Sequence, residues 1–186
     1  MFPAFKEWHA VVEALGAGEQ LLILRKGGIS EGRGGFDAAR AGRFWLFPTQ
    51  FHAQSEKTKP SAARFFTAPT ADGTVTLHYF ADIVSHAFLS DWATITALDP
   101  HHIWTEAAVR EKYDWAKPTG LHAFVVRVHR LTYPRTIPLT PDMGGCKSWI
   151  DLPYSPADYT STPVLNDTAF ARRSILIPAP PPHTSR

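Results

Sequence analysis

The apolar positions of this chain fall into short blocks that change period several times. Phe5, Trp8, Val12 and Leu15 step by three, four and three residues. That spacing predicts a helix over residues 3–15, with Pro3 in its first turn and Gly16 and Gly18 at its end. Leu21 to Leu24 is an unbroken apolar run, and Gln20–Arg25 reads as a buried strand. Arg43–Phe47 reads as a second strand stopped by Pro48, with residues 27–42 as a long hairpin-like return between the two. Residues 53–73 are polar and hold one short helix around Ser61–Phe66. The Asp72-Gly73 turn then leads into an alternating strand over Thr74–Phe80. Residues 81–98 fit either a strand followed by a helix or a connecting element.

Thr105–Trp115 predicts a helix in which Thr105 caps, Glu106 favours the first turn and Trp104 staples against Val109. Leu121–Leu131 is the clearest strand, with Phe124, Val126 and Val128 on one face and Val125, Arg127 and His129 on the other. Asp167 is placed to cap a last helix reaching Arg173. These elements predict a single α+β domain over residues 1–177. Its sheet would be mixed or mainly antiparallel, a partly open barrel being one form. It would carry an N-terminal helix and one or two further helices. The proline-rich residues 178–186 read as a flexible tail.

At 186 residues with a 44% hydrophobic fraction, the chain can bury one real core. Sixteen prolines argue against long uninterrupted helices. No segment approaches 18 consecutive apolar residues, so no membrane helix is expected. No leader of the secretory kind is visible. The one cysteine, Cys146, cannot form an intrachain disulfide and points to a reducing cytoplasm. It also rules out a cysteine-rich metal site. The net charge of +2 and pI near 8.8 are milder than those of a dedicated nucleic-acid binder.

The chemistry concentrates where the first strand ends. Arg25 and Lys26 precede Gly27, Gly28 and a glycine-rich stretch with one carboxylate, Glu31. Two cations beside free loop amides suit a phosphate, and the alternative is Arg25 paired with Glu31 across a turn. Neither a P-loop nor a dinucleotide fingerprint is present. The segment Pro48-Thr49-Gln50-Phe51-His52-Ala53-Gln54 offers donors, acceptors and an imidazole. His52 there is either a general base or a ring that fixes its loop. Cys146-Lys147-Ser148-Trp149 supplies a thiol best read as a small core residue. It also supplies an anion contact in Lys147 and a core or stacking ring in Trp149. His101 and His102 are adjacent on an extended segment and point opposite ways, so no metal site is assigned. Residues 100–135 interleave six cations, among them Lys112 and Arg127, with aromatics such as Trp104. This suits either a nucleic-acid groove or a solvated face over an aromatic core.

Several strings together resemble a bacterial family. They are Lys6-Glu7-Trp8, Arg25-Lys26-Gly27-Gly28-Ile29-x-Glu31, Phe44-x-Leu46-x-Pro48-Thr49 with His52, Trp104-Thr105, Arg127-Val128 with Leu131, and Gly145-Cys146-Lys147-Ser148-Trp149. The chain is similar over roughly residues 5–173 to domain-of-unknown-function family 1802, which implies no activity. The family pattern has Gln directly after the His, whereas here Ala53 intervenes before Gln54.

Two expectations of different class follow. The first is a binding module for nucleic acid or a nucleotide. Its contacts would be Arg25, Lys26, Gly27, Gly28, Thr49, Gln54, Arg127, Lys147 and Ser148, with Trp104 or Trp149 stacking. The second is a hydrolase acting on a phosphodiester or nucleotide, with Glu31 as acid or Mg²⁺ ligand, Lys26 stabilising charge and His52 moving a proton. A protein-partner subunit using the proline-rich stretch 134–163 is a third. No cofactor and no oligomeric state can be read from the residues.

Overall fold

The computed structural model describes residues 1–26, 42–50, 53–67, 73–145 and 147–174. Seven strands form one sheet: β1 Phe2–Trp8, β2 Leu22–Arg25, β3 Arg43–Thr49, β4 Thr74–Leu89, β5 Leu121–Pro138, β6 Trp149–Leu152 and β7 Ser161–Pro163. The helices are α1 His9–Gly16, α2 Gln54–Lys57, α3 Trp92–Thr96, α4 Glu106–Asp114 and α5 Asp167–Ser174, with a 3-10 turn at Pro60–Phe65. The strand order is β2-β5-β4-β3-β1-β6, and β7 pairs with the later part of β5. Among the described residues only β1 and β3 run parallel; the other pairings are antiparallel. The sheet is mixed and open: among the described residues no ladder joins β2 to β6. The chain is therefore a single-sheet α+β domain.

Alternation of side chains across the sheet divides the interior into two cores. Phe5, Phe44 and Leu46 pack with α1, α4, β2 and the first half of β5. Their neighbours Ala4, Trp45 and Phe47 face the other way, onto Leu77, Phe80, Leu131 and Leu152. Trp45 Nε1 donates to the Tyr154 carbonyl at 2.8 Å and ties the second core to the loop that covers it.

Several boundaries differ from the periodic reading. Residues 3–15 are a strand followed by a helix. Phe5 and Trp8 belong to β1, which lies between β3 and β6, and only Val12 and Leu15 belong to α1. Pairing on both edges outweighs the helical spacing of Phe5 and Trp8 with Val12 and Leu15. Pro48 does not end β3, which runs on to Thr49 opposite Glu7 and Trp8 of β1. By then the β3–β4 ladder, recorded for Arg43–Trp45, is over, so a missing N–H costs nothing on that side. β2 and β3 do not form a hairpin: β2 pairs with β5, and β3 sits between β1 and β4. The ambiguous 81–98 stretch continues β4 to Leu89 and then forms α3, with Asp91 Oδ2 accepting from Thr94 N at 2.7 Å. Thr105 does cap α4, at 3.3 Å from Ala108 N. The cap of α5 is Asn166, whose Oδ1 accepts from Ala169 N at 2.8 Å, while Asp167 pairs with Arg127.

Candidate functional site

The sheet curls until its two edges meet. Lys6 in β1 donates through Nζ to the carbonyls of Met143 and Gly145, both at 2.8 Å. Its backbone N–H donates to the Ser148 carbonyl at 2.9 Å. Gly145 adopts φ +74°, a conformation that side chains rarely take, and turns the loop back toward β1. These restraints set Ser148 beside the end of β2, where the Arg25 Nη2 group donates to Ser148 Oγ. That one contact brings together two strings 123 residues apart in the sequence.

Arg25 is the hub of this corner. Its guanidinium lies 4.9 Å over the Phe5 ring, and Nη1 stands 3.8 Å from Glu7 Oε2. The Arg25 side chain is 24% exposed, whereas that of Glu7 is 1% exposed. Glu7 Oε1 accepts the Trp8 N–H at 2.8 Å, but Oε2 accepts no hydrogen bond among the described residues. Lys112 arrives from α4. Its ammonium is enclosed 4.1 Å over the ring of Trp104 and 5.1 Å over that of Trp8, and it makes no hydrogen bond among the described residues. The stem of Lys112 stays partly at the surface, so it is the charged end that is buried. Burial lowers the Lys112 ammonium to about pKa 8, against the opposing pull of the Glu7 charge; Arg25 lowers it further. The indole N–H of Trp104 is also buried and unpaired among the described residues.

Next to this polar corner lies an apolar cleft lined by Phe5, Ile23, Phe44, Ile83, Phe124 and Trp149, about 180 Å³ including its open mouth. Most of that is open solvent: the cleft's own free volume is about 10 Å³, room for a water-sized group. Trp149 is half-buried, with its ring 5.0 Å from Phe5 and 5.2 Å from Phe44. His86 and His122 sit along the same sheet face, joined Nε2 to Nδ1 at 2.9 Å and stacked beside Phe124. Burial lowers His122 below the ordinary imidazole value, and the charges of His86 and Lys26 lower it further.

The sequence-predicted residues divide into three groups. Arg25, Ser148 and Trp149 converge, and exposed Lys147 adjoins them in the chain. Others are committed to holding the scaffold. Lys26 Nζ donates to the carbonyls of Tyr113, Pro118 and Gly120 at 3.0, 2.7 and 3.1 Å. Thr49 Oγ1 donates to the Glu7 carbonyl at 3.0 Å, and buried Gln54 accepts the Ala10 N–H at 3.3 Å, acting as an external cap for α1. Trp104 is fully buried beneath Lys112, so its ring faces the interior. Arg127 lies elsewhere, on β5, paired with Asp167 and 5.2 Å over Phe170. Gly27, Gly28, Glu31, His52 and Cys146 lie outside the described residues. Among the described residues no group of three or more His, Cys, Asp or Glu could hold a metal.

Glu7 and Lys112 are the residues that sequence reasoning missed. Glu7 stood only inside the family string, and Lys112 only in a count of cations. The available signal was a carboxylate two positions after Phe5, on the apolar face of a strand.

Fold and site together define an α+β domain with a cation-flanked aromatic cleft where the edges of an open mixed sheet converge. The chain belongs to the family described as "Domain of unknown function (DUF1802)", whose model matches residues 4–175. No curated protein matches it. Among solved structures, a crystal structure of ASCH from Zymomonas mobilis aligns with a TM-score of 0.43 at 12% identity, covering 96% of this chain and 97% of that one. At that distance the likeness carries no argument. No helix among the described residues is long and apolar enough to cross a membrane.

Proposed function

We propose that this protein binds nucleic acid or a nucleotide, in a cytoplasmic setting, at the corner where β2 meets the loop before β6. The observation that carries the reading is the Arg25–Ser148 contact, which gathers the two most chemically loaded strings of the chain at one mouth. Arg25 and Lys147 supply positive charge for phosphate, and half-buried Trp149 supplies an aromatic surface beside a shallow apolar cleft.

The test is fluorescence anisotropy with labelled single- and double-stranded DNA and RNA at two salt concentrations, with and without Mg²⁺. Saturable binding that weakens steeply with salt is expected. Lys147→Glu should weaken it about tenfold by reversing one phosphate contact. Absence of binding at low salt overturns the reading. Binding that ignores both Lys147→Glu and Arg25→Gln moves the ligand to another surface. Cleavage of the probe would turn the module into a hydrolase.

A further inference from the structure

We infer that the ligand is a single strand of nucleic acid, and that Trp115 stacks one of its bases outside the Arg25–Ser148 mouth. The inference rests on the nucleic-acid reading above and adds the form of nucleic acid and a residue that recognises it. It starts from a large apolar side chain that the fold holds in water. Trp115 directly follows α4 and is 65% exposed, while the other five tryptophans are buried or half-buried. The backbone beneath it is anchored. Lys26 Nζ donates to the carbonyls of Tyr113, Pro118 and Gly120, so one ammonium ties both ends of the segment that carries Trp115. Tyr113 Oη donates to the Ser90 carbonyl at 2.7 Å. Gly120, at φ +147°, is packed so tightly that a Cβ there would stand 2.5 Å from the Phe88 ring and 2.7 Å from the Leu89 carbonyl. A ring on an anchored backbone pays less ordering cost on binding than one on a loose loop.

Position and charge select the occupant. Lys26 directly follows Arg25, so its three bonds hold the Trp115 loop next to the mouth. The neighbouring carboxylate is already engaged: Asp114 Oδ2 accepts from Arg110 Nε at 2.6 Å. Exposed Lys117, two residues beyond Trp115, donates to Thr119 Oγ1 at 3.0 Å, and an ammonium has three N–H groups to give. A flat apolar face beside a cation takes a base and its phosphate together. Bases in a duplex are stacked on one another and show only their edges in the grooves, whereas an unpaired base offers a free face. A mononucleotide held at Arg25 and Lys147 has no second base for Trp115.

The experiment is a set of anisotropy titrations with labelled rU10, dT10 and a short DNA duplex, using the wild type, Trp115→Ala and Trp115→Phe. The wild type should bind both single strands more tightly than the duplex. Trp115→Ala should lose about tenfold in single-strand affinity and nothing on the duplex. Trp115→Phe, which keeps a flat ring, should recover most of that loss. The salt dependence of Trp115→Ala should match the wild type, because stacking releases no counterions, whereas Lys147→Glu should flatten it. So exposed a side chain is not needed for folding, and the melting curves of all three proteins should coincide. Unchanged single-strand affinity in Trp115→Ala, or tighter binding of the duplex by the wild type, overturns this inference and leaves the nucleic-acid reading intact. No binding of any probe by the wild type overturns both.

Discussion

Two carboxylate–arginine clusters sit at different ends of this sheet, and they are built to opposite ends. On β3, β4 and β5, Arg43 grips Asp82 with two hydrogen bonds, Nε to Oδ1 at 2.7 Å and Nη2 to Oδ2 at 2.9 Å. His129 Nε2 completes the group 3.1 Å from Asp82 Oδ2, with its ring stacked on Phe80. Burial raises the Asp82 carboxyl, but the bonds and charge of Arg43 outweigh it and hold Asp82 below the usual carboxylate range. At the other end, Glu7 and Arg25 are 3.8 Å apart, and Lys112 is enclosed by indole rings and makes no hydrogen bond among the described residues. Both oxygens of the half-exposed Asp82 accept from Arg43, whereas the buried Glu7 keeps one oxygen without a hydrogen bond among the described residues. Water could relieve an exposed shortfall cheaply; a buried shortfall costs stability.

The largest predicted effect tests that contrast directly. Glu7→Met removes the carboxylate and leaves the Lys112 ammonium and Arg25 together in a desolvated corner. The expected loss is about 3–5 kcal/mol, as for a buried pair stripped of one partner. Adding Lys112→Met should recover most of that loss or exceed the wild type, because apolar side chains of similar size fill the same space without desolvation cost. Urea unfolding of the three proteins measures both. A single-variant loss under about 1 kcal/mol would mean that the corner is not a buried ionic site, and the contrast would fail.

A pH series gives the next effect. The Lys112 ammonium is lowered in the fold to about 8, against 10.5 as its ordinary value. Between those values the unfolded chain holds the proton and the folded chain does not, so Lys112 makes stability rise as pH climbs from 8 to 10.5. Burial likewise lowers His102 to about 4 from 6.5, with Lys59 adding to the shift. Its contribution is fully present above pH 6.5 and is lost as pH falls toward 4. The wild type should therefore gain stability relative to Lys112→Met on the alkaline side. It should lose stability relative to His102→Asn on the acid side. Thermal melts across pH 4–10.5 read both differences, and a flat difference in either window contradicts the burial of that group.

The sequence carried the saturated end of the molecule better than the open one. Strands whose periodicity is strong and whose partners are long, such as β5 and the start of β4, are visible from alternation alone. The Thr105 cap is visible from local chemistry. β1 was hidden because Phe5 and Trp8 fit both a helical and an extended spacing, and only the pairing with β3 and β6 decides between them. That choice also concealed Glu7: on a helix it is one more surface carboxylate, on β1 it shares the Phe5 face. Arg25 and Ser148 could be singled out from their strings, but their contact across 123 residues is a property of sheet curl. Lys26 illustrates the converse. A lysine beside glycines reads as an anion contact, yet three carbonyls around the end of α4 claim its protons.

The smallest predicted effect is at the saturated cluster, and it is small for a physical reason. Asp82 and Arg43 are 30% and 44% exposed, so water competes for both and screens their attraction. Asp82→Asn keeps an oxygen for Arg43 and removes the charge. It should cost no more than about 1 kcal/mol, and the cost should shrink in high salt. His129, lowered chiefly by burial with Asp82 pulling the other way, should lose that upward pull and titrate at lower pH in the variant. NMR titration of the imidazole measures this directly. Nucleic-acid affinity should not change, since the cluster sits on β3, β4 and β5 away from the Arg25–Ser148 mouth. If Asp82→Asn weakened binding as strongly as Lys147→Glu, the division between a structural and a ligand-facing ionic cluster would be wrong, and the Arg43–Asp82–His129 cluster would belong to the binding surface.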